Sequence, residues 1–210
     1  VMLYYRNATL EEQDVALYDA PNWLNDRCIH FGFKLIEDDF PVACVLMDPA
    51  VYSFMMLQCE DDDEFEDLGR GMEFPPQARD GRVVVTAVSD NDAFVTSSPS
   101  GGGAHWSLLV YWVDKDRAAH FDSMGATNAK SASVALEKLE RCFGREKAAL
   151  EHVATPRQTN GYDCGLMTLA IARSLLSGGA RPGQYPLARV SPDAVADLRR
   201  DLRERAGDML

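Results

Sequence analysis

The chain has 210 residues, of which 46% are apolar and 26% are charged, and this composition is typical of a globular protein large enough to form a core. The formal net charge of −12 disfavours nucleic acid as a partner, because phosphate binding requires clustered Lys and Arg, and favours a partner with a basic face. No apolar run approaches the ~20 residues of a membrane-spanning helix, so we expect no membrane partner.

Apolar periodicity and turn residues predict helices on both flanks of a central group of strands. The first helix is predicted in "DAPNWLNDRCIHFGFKLIEDD", with Asn22 as its N-cap. The next predicted elements, in chain order, are a weaker helix "DPAVYSFMMLQCE", an acidic surface loop "EDDDEFEDLGRG", a strand "RVVVTAVSD", a glycine loop "NDAFVTSSPSGGGA", a strand pair "HWSLLVYWVD" and "RAAHFDS", a helix "SASVALEKLERCFG", a strand "ALEHVAT" and a helix "GLMTLAIARSLL". A last amphipathic helix spans about residues 192 to 205. This order predicts one α+β domain over residues 1–210, with a central sheet flanked by helices.

The cysteine pattern indicates free thiols rather than a disulfide framework. The chain has five cysteines, an odd number, and none of them form a C-x-x-C pair. They are Cys28, Cys44, Cys59, Cys142 and Cys164. We therefore expect no zinc site and an intracellular location, in the cytoplasm, the nucleus or both.

Cys164 stands out because "TNGYDCG" places it at the start of a predicted helix. A helix N-terminus supplies partial positive charge and free N–H groups. With a neighbouring imidazolium, it can lower a cysteine pKa from about 8.5 to roughly 3.5–7.5. Cys164 is therefore a candidate nucleophile, although a buried cysteine can also be a small apolar packing residue.

A histidine and an aspartate are predicted to meet near one end of the strand pair. Three of the four histidines, His30, His120 and His152, lie within predicted helices or strands and are expected to be structural or at the surface. His105 instead opens a strand after the glycine loop, and Asp122 ends the returning strand. If "KD" is the turn, the two side chains lie at the same end, where the carboxylate would orient the imidazole as a base. The pair alone could equally be structural.

Acyl transfer also needs donors for the developing oxyanion. The backbone N–H of Cys164 is one candidate, and the side-chain amide of Gln158, six residues upstream, is a second. Gln158 could also be an ordinary polar loop residue.

Taken together, these residues resemble the motifs of the ubiquitin-like-protein-specific, or sentrin-specific, cysteine proteases. The resemblance is carried by "WLND" at 23–26, "HW" at 105–106, "FDSMG" at 121–125 and "QTNGYDCG" at 158–165, and it extends over about residues 10 to 205. It implies a papain-like α+β fold with a central mixed sheet, catalysis without metal or cofactor, and a monomer. His105, Asp122, Gln158 and Cys164 match the family's catalytic positions.

Within the family, the chain most resembles the deneddylase branch, which implies a Nedd-type modifier as precursor or conjugate. The resemblance further implies that Trp23 and Trp106 confine the modifier's Gly-Gly tail, that Asp26 contacts its basic face, and that the loop 91–103 clamps it. Without the resemblance, core packing would explain the tryptophans, and a favourable interaction with the helix dipole would explain Asp26.

Several alternative functions remain compatible with parts of this pattern. The enzyme could prefer SUMO or ubiquitin, or it could transfer acetyl groups, as some effectors with this type of site do. It could also be a degenerate, non-catalytic binding module. The intact set of four candidate catalytic residues argues against the binding module, and "WLND" together with Trp106 favours hydrolysis.

Overall fold

The computed structural model describes residues 2–40, 43–75, 81–90, 105–179 and 181–209. Its strands are β1 (Met2–Tyr5), β2 (Ala8–Glu11), β3 (Val45–Leu46), β4 (Val83–Ser89), β5 (Trp106–Trp112), β6 (Arg117–Phe121) and β7 (Ala149–Val153). Its α-helices are α1 (Glu12–Val15), α2 (Asp26–Asp39), α3 (Pro49–Leu57), α4 (Asp62–Arg70), α5 (Ala129–Cys142), α6 (Cys164–Gly178) and α7 (Pro192–Met209). In this part of the chain, no helix is both long and apolar enough to cross a membrane.

The central sheet is mixed, as expected, with the strand order β3-β4-β5-β6-β7. The pairs β4–β5 and β5–β6 are antiparallel, whereas the outer pairs β3–β4 and β6–β7 are parallel. A short 3₁₀ turn, Val113–Lys115, joins β5 to β6, and Asp116 follows it in the left-handed region with φ 46°. The predicted hairpin is therefore present, and its open end carries the residues next to Trp106 and Phe121.

Helices cover both faces of the sheet, which explains why its strands are nearly continuous apolar runs. Alternate side chains of β5 enter two different cores, with Leu108 and Val110 on one face and Leu109 and Tyr111 on the other. The first core contains the buried sides of α2, α6 and α7, and the second contains those of α3 and α5. The helix that begins at Cys164 thus packs on the sheet, as predicted.

Two predictions about local structure are wrong. The N-cap of α2 is Asn25, whose side chain accepts a hydrogen bond from the Cys28 N–H at 3.0 Å; the Asn22 side chain instead donates to the Ala16 carbonyl at 3.1 Å. The acidic segment predicted as a loop contains helix α4. Asp61 caps this helix, and Phe65, on its inner face, is fully buried beneath the guanidinium of Arg141, 4.0 Å from the ring centre.

The termini also differ from the sequence prediction. The hairpin formed by β1 and β2 was not predicted, although Leu3 and Leu10 from it enter the core. Helix α7 continues to Met209, a few residues beyond the predicted end. The loop 91–103, predicted to clamp the substrate, lies outside the described residues.

Candidate active site

The contact expected between His105 and Asp122 is present at the open end of the β5–β6 hairpin. Nε2–H of His105 donates to Oδ1 of Asp122 at 2.7 Å, and both side chains are almost completely buried. The backbone N–H of His105 donates to the Asp90 carboxylate at 3.0 Å. The imidazole is therefore held by the end of β4 as well as by the hairpin.

The Asp122 carboxylate is anchored by the turn that follows it. The N–H of Met124 donates to Oδ1 at 2.8 Å, and the N–H of Asn128 donates to Oδ2 at 3.0 Å. Burial opposes the charged form of Asp122, but these bonds and the interaction with His105 outweigh it and lower the Asp122 pKa to about 2. Asp122 is therefore ionised throughout the neutral pH range. Its carboxylate can only accept a hydrogen bond, so the imidazole must be the donor.

His105 is placed to carry a proton. Burial favours its neutral form, but the hydrogen bond to Asp122 and the interactions with Cys164 and with the Asp122 charge outweigh this and raise its pKa to about 9. Its other ring nitrogen, Nδ1, is buried and has no hydrogen bond of normal length among the described residues. The imidazole is therefore fixed on one side and available on the Cys164 side.

Cys164 is the first residue of α6 and is 2% exposed. The following residue explains how this helix start fits into the site. A Cβ on Gly165 would lie only 3.0 Å from Cβ of Leu24 and 3.3 Å from Cδ1 of Ile29, so a larger residue would push α6 away from α2. Glycine at 165 thus permits the close packing that sets the position of the thiol.

The side-chain amide of Gln158 has a fixed orientation. Its Oε1 accepts a hydrogen bond from the Ser123 hydroxyl at 2.6 Å, and its Nε2 donates to the Asn160 carbonyl at 2.7 Å. These contacts leave one N–H of the amide without a role in the loop. The amide thus keeps a donor that the loop does not use, and the bond from Ser123, which directly follows Asp122, fixes the position of the amide oxygen.

Two residues that hold this arrangement were not identified from the sequence. Ser123 is one of them. The other is Asn128, fully buried, whose Nδ2 lies within 3.2 Å of the Val88 carbonyl, the His105 carbonyl and the Ser107 hydroxyl. The only sequence signal was the position of Ser123 within "FDSMG".

The segment that carries Trp23 and Asp26 is joined to the strand that begins with Trp106. The indole N–H of Trp106 donates to the Leu24 carbonyl at 2.9 Å, which joins "HW" to "WLND". Trp23, next to Leu24, is 50% exposed. Asp26 is also at the surface, and the structure records no cationic partner for it among the described residues; protein packed around it and the neighbouring Asp48 carboxylate raise its pKa.

The remaining histidines have other hydrogen-bond or ion-pair partners than the His105–Asp122 pair. Nε2 of His120 contacts the Ser107 hydroxyl at 2.9 Å, and Nδ1 contacts Nδ1 of His152 at 3.1 Å. Burial lowers the His120 pKa to about 4, so it stays neutral at physiological pH. Nδ1 of His30, on α2, lies 3.2 Å from the carboxylate of Asp48, the N-cap of α3. Three positions that we expected to be structural or at the surface are thus tied into the scaffold.

Three other cysteines are unsuited to nucleophilic chemistry. Burial raises the pKa values of Cys28, Cys44 and Cys142 to about 12, mainly because an apolar surrounding disfavours the thiolate. Over the described ranges, no group of three or more His, Cys, Asp or Glu side chains could hold a metal ion.

Comparison with known proteins identifies both a family and a fold. A model of the Ulp1 protease family, C-terminal catalytic domain, matches residues 22–200. Sentrin-specific protease 8 of Homo sapiens is 34% identical over 181 residues, covering 83% of this chain and 81% of that protein. NEDD8-specific protease 1 of Arabidopsis thaliana is 29% identical over 208 residues, covering 97% and 89%.

Solved structures share the fold at lower sequence identity. The C-terminal Ulp1 protease domain in complex with Smt3, the yeast ortholog of SUMO, has a TM-score of 0.70 with 22% identity and covers 97% of this chain and 85% of that one. The Xanthomonas campestris effector protein XopD, bound to ubiquitin, has a TM-score of 0.60 with 24% identity and covers 93% and 100%.

Proposed function

This chain belongs to the Ulp1 protease family and is a cysteine protease, and we propose that it cleaves after the C-terminal Gly-Gly of a Nedd-type ubiquitin-like modifier. It would process the modifier's precursor, remove the modifier from lysine conjugates, or both, acting as a monomer in the cytoplasm or nucleus. The observation that carries the chemistry is the 2.7 Å His105–Asp122 pair whose imidazole interacts with Cys164. The likeness to sentrin-specific protease 8 and to a NEDD8-specific protease supports the choice of modifier.

The reaction assigns one role to each residue of the site. The Cys164 thiolate attacks the carbonyl carbon of the terminal glycine, and the oxyanion accepts hydrogen bonds from the Cys164 N–H and the Gln158 amide. When the C–N bond breaks, the His105 imidazolium gives its proton to the leaving amine. His105 then takes a proton from water as the water attacks the thioester, which releases the modifier's carboxylate and frees the thiol. Asp122 keeps the imidazole oriented throughout.

The positions of two tryptophans suit a tail without side chains. The indole N–H of Trp106 donates to the Leu24 carbonyl, the half-exposed Trp23 precedes Leu24 in the chain, and the Leu24 side chain lies beside Gly165 at the start of α6. We propose that both rings border the approach to Cys164. A narrow channel between such rings excludes larger residues and positions the scissile carbonyl near the thiol. We propose that this channel gives the selectivity for Gly-Gly.

The choice of modifier is tested most directly with a panel of electrophiles. Nedd-type, SUMO and ubiquitin proteins, each with a thiol-reactive group in place of the C-terminal carboxylate, are incubated with the enzyme, and adducts are measured by intact mass. We expect an adduct with the Nedd-type protein that is absent in Cys164→Ala. It should persist when the other four cysteines are replaced together.

The outcomes separate chemistry from specificity. A faster adduct with SUMO or ubiquitin would refute the Nedd-type assignment while leaving the nucleophile in place. An adduct retained in Cys164→Ala would refute the nucleophile itself. Labelled acetyl transferred from acetyl-CoA, with no modifier adduct, would instead support the acetyltransferase alternative.

Asp26 provides a test of how the modifier is recognised. It is an exposed carboxylate with no cationic partner in the described part of the chain, so we propose that it pairs with a basic residue of the modifier. Asp26→Ala should lower kcat/KM by about fivefold, equivalent to ~1 kcal/mol for a surface ion pair. The loss should shrink as salt is raised.

A matched control removes the same charge elsewhere. Asp63 is an exposed carboxylate on α4, which packs on the other face of the sheet. Asp63→Ala should leave kcat/KM unchanged within about 1.5-fold, because a distant surface charge is screened. Equal effects from both variants would mean that only the net charge of the enzyme matters.

A further inference from the structure

The residue before the nucleophile occupies an N-cap position but does not act as a cap. Asp163 precedes the first turn of α6, and its side chain makes no capping hydrogen bond. Aspartate is among the best N-cap residues because its carboxylate accepts from the free N–H groups of the first turn. In this structure, the Asp163 carboxylate is bound by residues outside α6 instead.

Arg199 of α7 and Asn160 hold the Asp163 carboxylate. Nη2 of Arg199 donates to Oδ1 of Asp163 at 2.7 Å, and Nδ2 of Asn160 donates to Oδ2 at 2.7 Å. The Arg199–Asp163 pair is mostly buried, with side chains 11% and 19% exposed. Both carboxylate oxygens are thereby used outside the helix.

The same guanidinium also ties down two other segments beside the site. Nη1 of Arg199 donates to the Tyr18 carbonyl at 3.0 Å, and the guanidinium carbon lies 5.4 Å from the ring centre of Tyr162. The loop 158–163, which carries Gln158, has a cavity of about 300 Å³ behind it rather than close apolar packing, and Arg199 is part of its lining. Polar contacts therefore hold this loop where packing does not.

From this geometry we propose that Arg199 is a positioning residue for the nucleophile. It holds the Asp163 carboxylate away from the N-terminus of α6 and neutralises its charge. The N–H groups of the first turn then remain free for the Cys164 thiolate and for the oxyanion. This inference rests on the proposed role of Cys164, and it assigns a function to a residue distant from the bond that is cut.

Without Arg199, the Asp163 carboxylate retains only the uncharged Asn160 amide as a side-chain partner, and the free N–H groups of α6 are an alternative. The carboxylate can turn back and accept hydrogen bonds from the first turn of α6, as N-cap aspartates do. An uncompensated negative charge would then lie next to a thiolate and a developing oxyanion, and both would be disfavoured. Thiol reactivity and kcat should fall, while the surface that binds the modifier stays unchanged.

The experiment compares thiol reactivity in a double-mutant cycle. The rate of Cys164 inactivation by iodoacetamide is measured at pH 6 in the wild type, Arg199→Met, Asp163→Ala and the double variant, together with kcat, KM and Tm. Arg199→Met should react about 5- to 20-fold more slowly, the size expected when a like charge near the thiolate raises the thiol pKa by about one unit. Its kcat should fall at least as much, with KM unchanged within about threefold.

The double variant distinguishes positioning from simple support. If the freed carboxylate is the cause, adding Asp163→Ala to Arg199→Met should restore the inactivation rate to within about threefold of wild type. The Tm should be below that of the wild type in both Arg199→Met and the double variant, because the Tyr18 carbonyl lacks its donor in each. A rate that stays low in the double variant would overturn the proposal, because a merely structural role of Arg199 predicts no rescue.

Two further variants keep the test decisive. Arg203, one turn further along α7, pairs with Asp19 at 3.3 Å on the surface, so Arg203→Met should leave the inactivation rate unchanged. If Arg199→Met does not fold, Arg199→Lys replaces it. We expect a two- to fivefold slower rate, because a single ammonium cannot keep the contacts to both Asp163 and the Tyr18 carbonyl, and the same rescue. Wild-type enzyme that does not react at Cys164 would count against the proposed function, whereas a reactive wild type without the variant pattern would count against this inference alone.

Discussion

Replacing Asp122 with asparagine tests the electrostatics of the site, because it removes a charge and keeps the shape. In the wild type, the His105 pKa of about 9 lies roughly 2.5 units above its ordinary value of 6.5, despite a burial effect of opposite sign. The hydrogen bond to Asp122 is the largest cause that raises it, followed by the interaction with the Cys164 thiol and then by the charges of Asp122 and Cys164. Loss of the carboxylate charge should therefore lower the His105 pKa by about 1–2 units.

This change has a defined direction in the pH profile. The imidazolium is needed to protonate the leaving amine, so wild-type kcat/KM should fall as pH rises through about 9, where His105 loses its proton. In Asp122→Asn the fall should begin about 1–2 pH units lower. At pH 7.5 the variant should also lose activity by about 10² or more, because the amide no longer fixes the orientation of the imidazole.

Asp122→Asn should also cost stability in a defined way. The two carboxylate oxygens accept from the N–H groups of Met124 and Asn128, and an amide has only one oxygen to offer. One buried N–H would lose its acceptor, which costs about 1–3 kcal/mol. In the wild type, the lowered Asp122 pKa stabilises the fold above about pH 4, and this contribution disappears as pH falls through 2.

The assay measures kcat/KM from pH 5 to 10 with a fluorogenic Gly-Gly-terminated modifier, alongside thermal unfolding. Asp114 serves as control because it lies at the other end of the same hairpin, where its carboxylate accepts from the Arg82 N–H at 2.8 Å. Asp114→Asn should leave the alkaline limb in place. An Asp122→Asn profile whose alkaline limb stays near pH 9 would refute the electrostatic reasoning.

The remaining predictions concern the oxyanion donor and the packing of the second core. Gln158→Ala should lower kcat by about 10²–10³ with little change in KM, and a raised KM with normal kcat would identify Gln158 as a binding residue instead. Ser123→Ala should lower kcat by about 3- to 10-fold, because the amide of Gln158 loses the hydrogen bond that orients it. Gly69→Ala should reduce stability by about 1–3 kcal/mol or more in thermal unfolding, because its Cβ would lie 1.9 Å from the Cys142 carbonyl oxygen of α5. The matched Gly71→Ala, whose Cβ would meet only atoms at 3.5 Å or beyond, should be neutral or slightly stabilising, and equal losses in both would contradict the packing argument.

The sequence predicted best those features that depend on local geometry. The His105–Asp122 contact follows from strand lengths and a short turn, so counting residues along one hairpin was enough. The position of Cys164 at the N-terminus of α6 was likewise visible in the change from the polar "TNGYD" to an apolar run. Motif resemblance assigned the roles of Trp23, Trp106 and Asp26, and it supported the candidate role of Gln158 as an oxyanion donor.

The features that the sequence did not predict depend on distant partners. Helix α4 looks like a charged loop because Phe65 is the one large apolar side chain that it buries, and the guanidinium that covers this ring belongs to Arg141 on another helix. The hydrogen bonds that orient Gln158 and Asp163 come from Ser123 and Arg199, which lie 35 and 36 residues away in the chain. The capping error at α2 has a different cause, since Asn22 and Asn25 are equally good caps in isolation and only the tertiary context selects one.

Leu24 connects three of the motifs that define the site. Its carbonyl receives the Trp106 indole N–H from 82 residues away, and its side chain fills the space beside Gly165 at the start of α6. Closing loops of this length is slow compared with forming a hairpin, so we expect the β5–β6 hairpin, with its His105–Asp122 pair, to form before the thiol is in place. A partly folded chain would then contain the His105–Asp122 pair without a positioned thiol, so a newly made molecule would be inactive until the Leu24 segment and the start of α6 have packed together.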